Sequence, residues 1–114
     1  MTGSIVTGVS PSRSGGLDIA VRPGFELLGK YLESDFRGLV AGPFPAVREL
    51  LEETLRGGEG GDVVSDGYSL TVDGDETTIS LLTNEARTAT FSTQDVLQAV
   101  NEYAELIAAR ARDA

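Results

Sequence analysis

The sequence predicts an α+β fold: an antiparallel sheet of about five strands in the order β-β-α-α-β-β-β-α, with helices packed on one face. Three observations carry that expectation. Tyr68, Leu70 and Val72 alternate, and Thr77, Ile79 and Leu81 alternate after them, on either side of Asp73-Gly74-Asp75-Glu76. Apolar residues recur with helical period over Phe25 to Phe36 and again over Val96 to Ile107. Strands that follow one another without an intervening helix pair antiparallel.

Each element has its own local reason. Ser4 to Ser10 is short and β-branched, Pro11 to Gly16 is rich in turn residues, and Leu17, Ile19 and Val21 alternate, so the N-terminal segment reads as a hairpin. Pro23-Gly24 breaks the second strand. In the first helix Phe25, Leu28, Leu32 and Phe36 form the stripe, flanked by Leu27 and Tyr31, while Lys30, Glu33 and Asp35 lie off it. Gly29 costs up to ~1 kcal/mol relative to Ala inside a helix, which points to a close packing contact there. Gly38 to Phe44 reads as a loop. The second helix starts at Pro45, buries Val47, Leu50, Leu51 and Leu55, and stops at Gly57-Gly58. Gly57 to Gly61 then reads as a flexible connector.

Two turns fit the central hairpin. An Asp-Gly type I′ turn sets Leu70 opposite Thr77; a Gly-Asp type II′ turn sets Leu70 opposite Ile79 and Tyr68 opposite Leu81. The second pairs apolar with apolar and is favoured. Thr83 to Ala86 reads as a turn, and Arg87 to Phe91 as the next strand. Ser92 with Asp95 three residues on is a capping pattern for a last helix running to about Arg110. Its stripe is Val96, Val100, Tyr103 and Ile107, widened by Leu97 and Ala104. Arg110 and Arg112 sit near its C-terminal end, where the helix dipole favours positive charge.

Composition narrows the function classes. The 114 residues suit one domain with a single core, and 40% apolar with 24% charged residues are globular values. With no Cys there is no disulfide or thiol chemistry, which fits a reducing cytoplasm. The segment MTGSIVTGVS lacks a basic region and a long apolar run, so no secretory signal is expected. No apolar run approaches the ~20 residues of a membrane span. The formal charge is −9, from 18 acids against 9 bases, which disfavours nucleic acid and anionic membrane as partners and favours a basic protein. Only one base is Lys, Lys30, a compositional habit of a GC-rich source. The chain has no His, so the commonest catalytic base and metal ligand is missing.

The negative charge is segregated. Residues 57–86 hold no Lys or Arg but seven acids: Glu59, Asp62, Asp66, Asp73, Asp75, Glu76 and Glu85. Asp73-Gly74-Asp75-Glu76 admits three readings. It could be a divalent-cation site, although a calcium loop spreads its oxygen ligands over about a dozen residues and ends in a bidentate Glu, a pattern absent here. It could contact Lys or Arg of a partner. It could simply keep a turn solvated. Paired carboxylates on a tight turn lack the apolar pocket that glycoside hydrolysis needs. Gly57 to Gly61 is no phosphate loop, since no Lys-Ser/Thr follows. Tyr31, Tyr68 and Tyr103 sit on apolar stripes and read as core residues before interface anchors. Arg87 either pairs across strands near Thr78 or Glu76 or marks the sheet edge.

Three segments together resemble the YacL-like family of small bacterial proteins. The first is Leu17 to Phe36, where a strand runs into a helix through Gly24, Glu26, Leu27, Leu28, Gly29 and Tyr31. The second is the hairpin Gly67 to Ser80; the third is Asp95 to Tyr103 in the final helix. The resemblance covers about half the chain and implies a shared fold, with no activity attached. By size and charge the chain also resembles immunity proteins that neutralise toxins.

These readings set the functional expectation: a non-enzymatic, cytoplasmic, acidic protein-binding domain without metal or cofactor. Its most specific form is an immunity protein or antitoxin that neutralises a basic toxin such as a nuclease. The expected contacts are Glu59, Asp62, Asp66, Asp73, Asp75 and Glu76. The alternative is a structural or adaptor protein that forms a homodimer through a sheet edge or helix surface. An enzyme or metal-dependent hydrolase is the third reading, set back by the lack of His and Cys.

Overall fold

The computed structural model describes residues 3–11, 13, 16–36, 39 and 42–113. Strands β1 (Val6–Pro11) and β2 (Leu17–Val21) pair antiparallel as a two-stranded sheet. Helices α1 (Glu26–Asp35) and α2 (Phe44–Leu55) follow. Strands β3 (Gly61–Val64), β4 (Tyr68–Asp73), β5 (Glu76–Leu81) and β6 (Asn84–Ser92) form an antiparallel four-stranded meander in the order β3-β4-β5-β6. Helix α3 (Thr93–Asp113) comes last.

The α+β class holds, but a single sheet of about five strands does not. Among the described residues the N-terminal hairpin pairs with no strand of the four-stranded sheet, and it packs on helices α1 and α3. Gly29 eases that packing: a Cβ there would lie 3.0 Å from a Val21 methyl, tighter than ordinary contact, so a larger residue would have to push Val21 aside by a few tenths of an ångström. On α3, Glu102 accepts hydrogen bonds from the backbone amides of Ile5 at 2.8 Å and Val6 at 2.9 Å. These side-chain anchors replace an inter-strand ladder.

Strand β3 is the other correction. Gly57 to Gly61 is no flexible connector. Gly57 has φ +101°, its amide donates to Thr54 O, and the Gly58 amide donates to Glu53 O, which closes α2 in a Schellman motif. Gly60 has φ +85° and packs against the Val72 carbonyl, and Gly61 already pairs with Val72. The turn before β6 is shorter than residues 83–86, since β5 ends at Leu81 and β6 begins at Asn84. Arg87 is on that edge strand, at the far end from its expected neighbours: Thr78 faces Thr90 and Glu76 faces Ser92. The loop expected over 38–44 falls partly outside the described residues, as does the turn over 11–16; Phe44 already belongs to α2 and Pro11 to β1.

The expected register of the central hairpin is present, with Leu70 opposite Ile79 and Tyr68 opposite Leu81. Gly74 has φ +58° and no described non-glycine residue has positive φ, which fits type II′ and excludes type I′. The Asp95 amide donates to Ser92 Oγ at 3.1 Å, the expected cap of α3.

One face of the four-stranded sheet is buried under the helices. Leu70, Val72, Thr77 and Ile79 point into the core, together with Leu28, Leu32, Val47, Leu51, Val96 and Val100. The three tyrosines belong to it. Tyr31, Phe36, Phe44, Tyr68 and Tyr103 form a chain of ring contacts with centroids 5.1 to 6.2 Å apart. Such pairs contribute about 0.5–1.5 kcal/mol each beyond area burial.

Candidate functional site

The other face of the sheet looks to solvent, and its composition follows from the strand register. One row across the strands is Val64, Ser69, Ser80 and Thr88; the next is Asp62, Thr71, Thr78 and Thr90; the last is Asp73, Glu76 and Ser92. Hydroxyls satisfy one another across the strands, Thr78 with Thr90 at 2.9 Å and Ser80 with Thr88 at 2.8 Å. The only charges in these rows are the carboxylates of Asp62, Asp73 and Glu76.

Five of the six expected contact residues gather at one end. Asp73 and Glu76 stand directly opposite each other at the mouth of the turn, and Asp75 lies in it. Directly opposed side chains have Cβ atoms about 5 Å apart, and Asp62 is a diagonal neighbour of Asp73 at roughly 7–8 Å. Glu59 precedes β3 at the same end. All five are exposed, and none makes an ion pair among the described residues. Asp66 is the exception. It lies in the β3–β4 connection, separated from the others by roughly 17 Å of strand.

The turn that carries these acids is held firmly. The Thr93 amide donates to Asp75 O at 2.8 Å and the Thr93 hydroxyl to Gly74 O at 2.7 Å. That hydroxyl also lies 2.9 Å from Thr77 Oγ1. Both threonines are fully buried. This latch had one sequence signal: Thr77 and Thr93 are polar residues at core positions of their elements, which require partners.

At the opposite end a buried carboxylate organises the β3–β4 connection. Asp35 accepts hydrogen bonds from the Gly67 amide at 3.1 Å, the Tyr68 amide at 3.1 Å, Ser34 Oγ at 3.0 Å and Ser65 Oγ. Tyr31 Oη beside it is buried without a hydrogen-bond partner among the described residues. Burial is the main cause that raises the Tyr31 pKa, the Asp35 charge adds to it, and the nearby Ser65 hydroxyl works the other way. Burial and the same charge raise Tyr68. Both phenols therefore stay neutral at physiological pH. With its oxygens committed to the loop, Asp35 is a fastener and is poorly placed to serve as a base.

Among the described residues no group of three or more acids is placed to hold a metal ion, and no helix is long and apolar enough to cross a membrane. No family model, curated protein or solved structure matches this chain in comparisons with known proteins.

Proposed function

We propose that this chain is a non-enzymatic binding protein whose acidic end docks on a basic protein, most specifically an immunity protein or antitoxin that occludes a basic toxin such as a nuclease. The observation that carries this reading is the direct opposition of Asp73 and Glu76, reinforced by Asp75, Asp62 and Glu59 at the same end with no ion pair to a base among the described residues. Like charges opposed across strands are destabilising. A basic surface docked there relieves that repulsion. A phosphate-binding cleft is positive, and carboxylates on a firm scaffold can take the place of phosphates in it. Steering by these charges speeds association and weakens as salt rises.

The test is capture of partners from the source organism by tagged wild type and by an Asp73→Lys, Asp75→Lys variant, at low and high salt. Lys at position 73 would face Glu76 as an opposite charge, so the variant should be at least as stable as wild type, by up to about 1 kcal/mol. We expect one basic protein held by wild type at low salt and lost by either change. An unchanged partner set in the folded variant would refute the reading.

A further inference from the structure

We propose that the free edge of β6 is a strand-docking site for an extended, acidic segment of a partner protein. This surface reaches the acidic turn only where Ser92 faces Glu76, and the inference does not rest on the function proposed above. β6 is the outermost strand on its side of the sheet and the longest, with 9 residues, and no described backbone group bonds to its outer edge. The opposite edge, β3, has 4 residues and begins with a glycine, the short form in which proteins usually leave an edge exposed.

Beside β6 runs a groove of about 360 Å³, walled by Gly24, Leu27 and Lys30 on the helix side and by Arg87, Ala89 and Phe91 on the strand side. Phe91 is braced from below: its ring stacks on Phe25 at 5.5 Å, and the Arg22 guanidinium lies 5.1 Å from the Phe25 centroid. Two of the nine bases of a strongly acidic chain, Lys30 and Arg87, line this groove. Arg87 is exposed and has no ion pair among the described residues, and Lys30 is 65% exposed with a Glu33 contact of 3.6 Å. The carboxylate on the wall, Glu26, accepts from the Gly24 amide at 2.6 Å. An added strand would make main-chain hydrogen bonds to β6 and turn one face to the groove, with apolar side chains against Ala89 and Phe91 and, further along that same face, a carboxylate toward Arg87 and Lys30. Charge selects the occupant: Arg87 is exposed on the groove wall with no ion pair among the described residues, while the carboxylate of Glu26 is engaged by the Gly24 amide.

The experiment is an NMR titration of the full chain with three short synthetic peptides. One, the Val-Glu peptide, carries Val opposite Ala89 and Phe91 and Glu opposite Arg87 on the same face, with Thr at the alternate positions; one has Lys in place of Glu; and one is the Val-Glu peptide N-methylated at the amides that would face β6. The Val-Glu peptide should shift β6 and residues 24–30 and slow exchange of β6 amides. The N-methylated and Lys peptides should not. Arg87→Glu, a change at an exposed position, should weaken the Val-Glu peptide by about tenfold or more while leaving the spectrum elsewhere unchanged. Equal binding of the Lys or N-methylated peptide, shifts confined to other surfaces, or no binding would overturn the proposal. So would concentration-dependent pairing of β6 with a second copy in the absence of peptide.

Discussion

Removing the Asp35 carboxylate would leave the Gly67 and Tyr68 amides without their acceptor and the Ser65 hydroxyl with the longer bond to Tyr68 O at 3.3 Å. Hydrogen bonds to a charged group contribute about 1.5–3 kcal/mol each and a buried unmade one costs about 1–3 kcal/mol, so Asp35→Ala should lower stability by about 3 kcal/mol or more in urea denaturation. Tyr31→Phe removes an equally buried oxygen for which the described residues offer at most the nearby Ser65 hydroxyl, and should stay within about 1 kcal/mol of wild type. A large loss in Tyr31→Phe and none in Asp35→Ala would invert this account. The sequence offered a partial view of Asp35. Read as off the apolar stripe, it in fact falls seven residues after Leu28 and three after Leu32, on the buried face of α1. Spacing could place it there, but nothing local could say that its partners were residues 65, 67 and 68.

Elements were legible wherever one local rule governed them. Period-two alternation located β4 and β5, apolar pairing chose their register, and a glycine pair stopped α2. β3 escaped because it is short and starts with glycine, although Val63-Val64 followed by Ser65-Asp66-Gly67 is itself a strand-and-turn signal. Its entry is stricter than a connector needs to be. An Ala at 60 would carry a disfavoured positive φ and would run into the Val72 carbonyl. Gly60→Ala should therefore cost at least about 2 kcal/mol, with hydrogen exchange accelerated first at the β3–β4 ladder. Unchanged exchange there would mean that β3 contributes little to the sheet.

At the scale of the whole molecule, the division into two sheets was beyond local reasoning, because it depends on contacts between residues nearly a hundred positions apart. The Glu102 carboxylate that ties β1 to α3 is opposed by partial burial, but the amides of Val6 and Ile5 and the side chains of Gln98 and Ser4 outweigh that and lower its pKa. A carboxylate with a lowered folded pKa contributes stability that is present above its unfolded pKa and lost as pH falls through the folded value. Protection of the Ile5 and Val6 amides, taken relative to intrinsic exchange at each pH, should accordingly be high at neutral pH and fall as pH drops through and below about 4.3, the ordinary glutamate value. In Glu102→Gln that acid-side step should be gone, with the other carboxylates still titrating. The same step in both proteins would assign it elsewhere. The acidic end was legible as a charge pattern, whereas its separation from Asp66 became visible only once the length of β4 was set between them.

The latch at Thr93 has a kinetic consequence. A turn whose carbonyls are already fixed gives up little conformational freedom when it is covered, so capture needs no prior ordering of the hairpin. Such a surface does not mould itself to what it meets. On the docking proposed above, it would admit shapes that already fit and let others diffuse away, which would make discrimination a matter of how long an encounter lasts more than of how often it occurs.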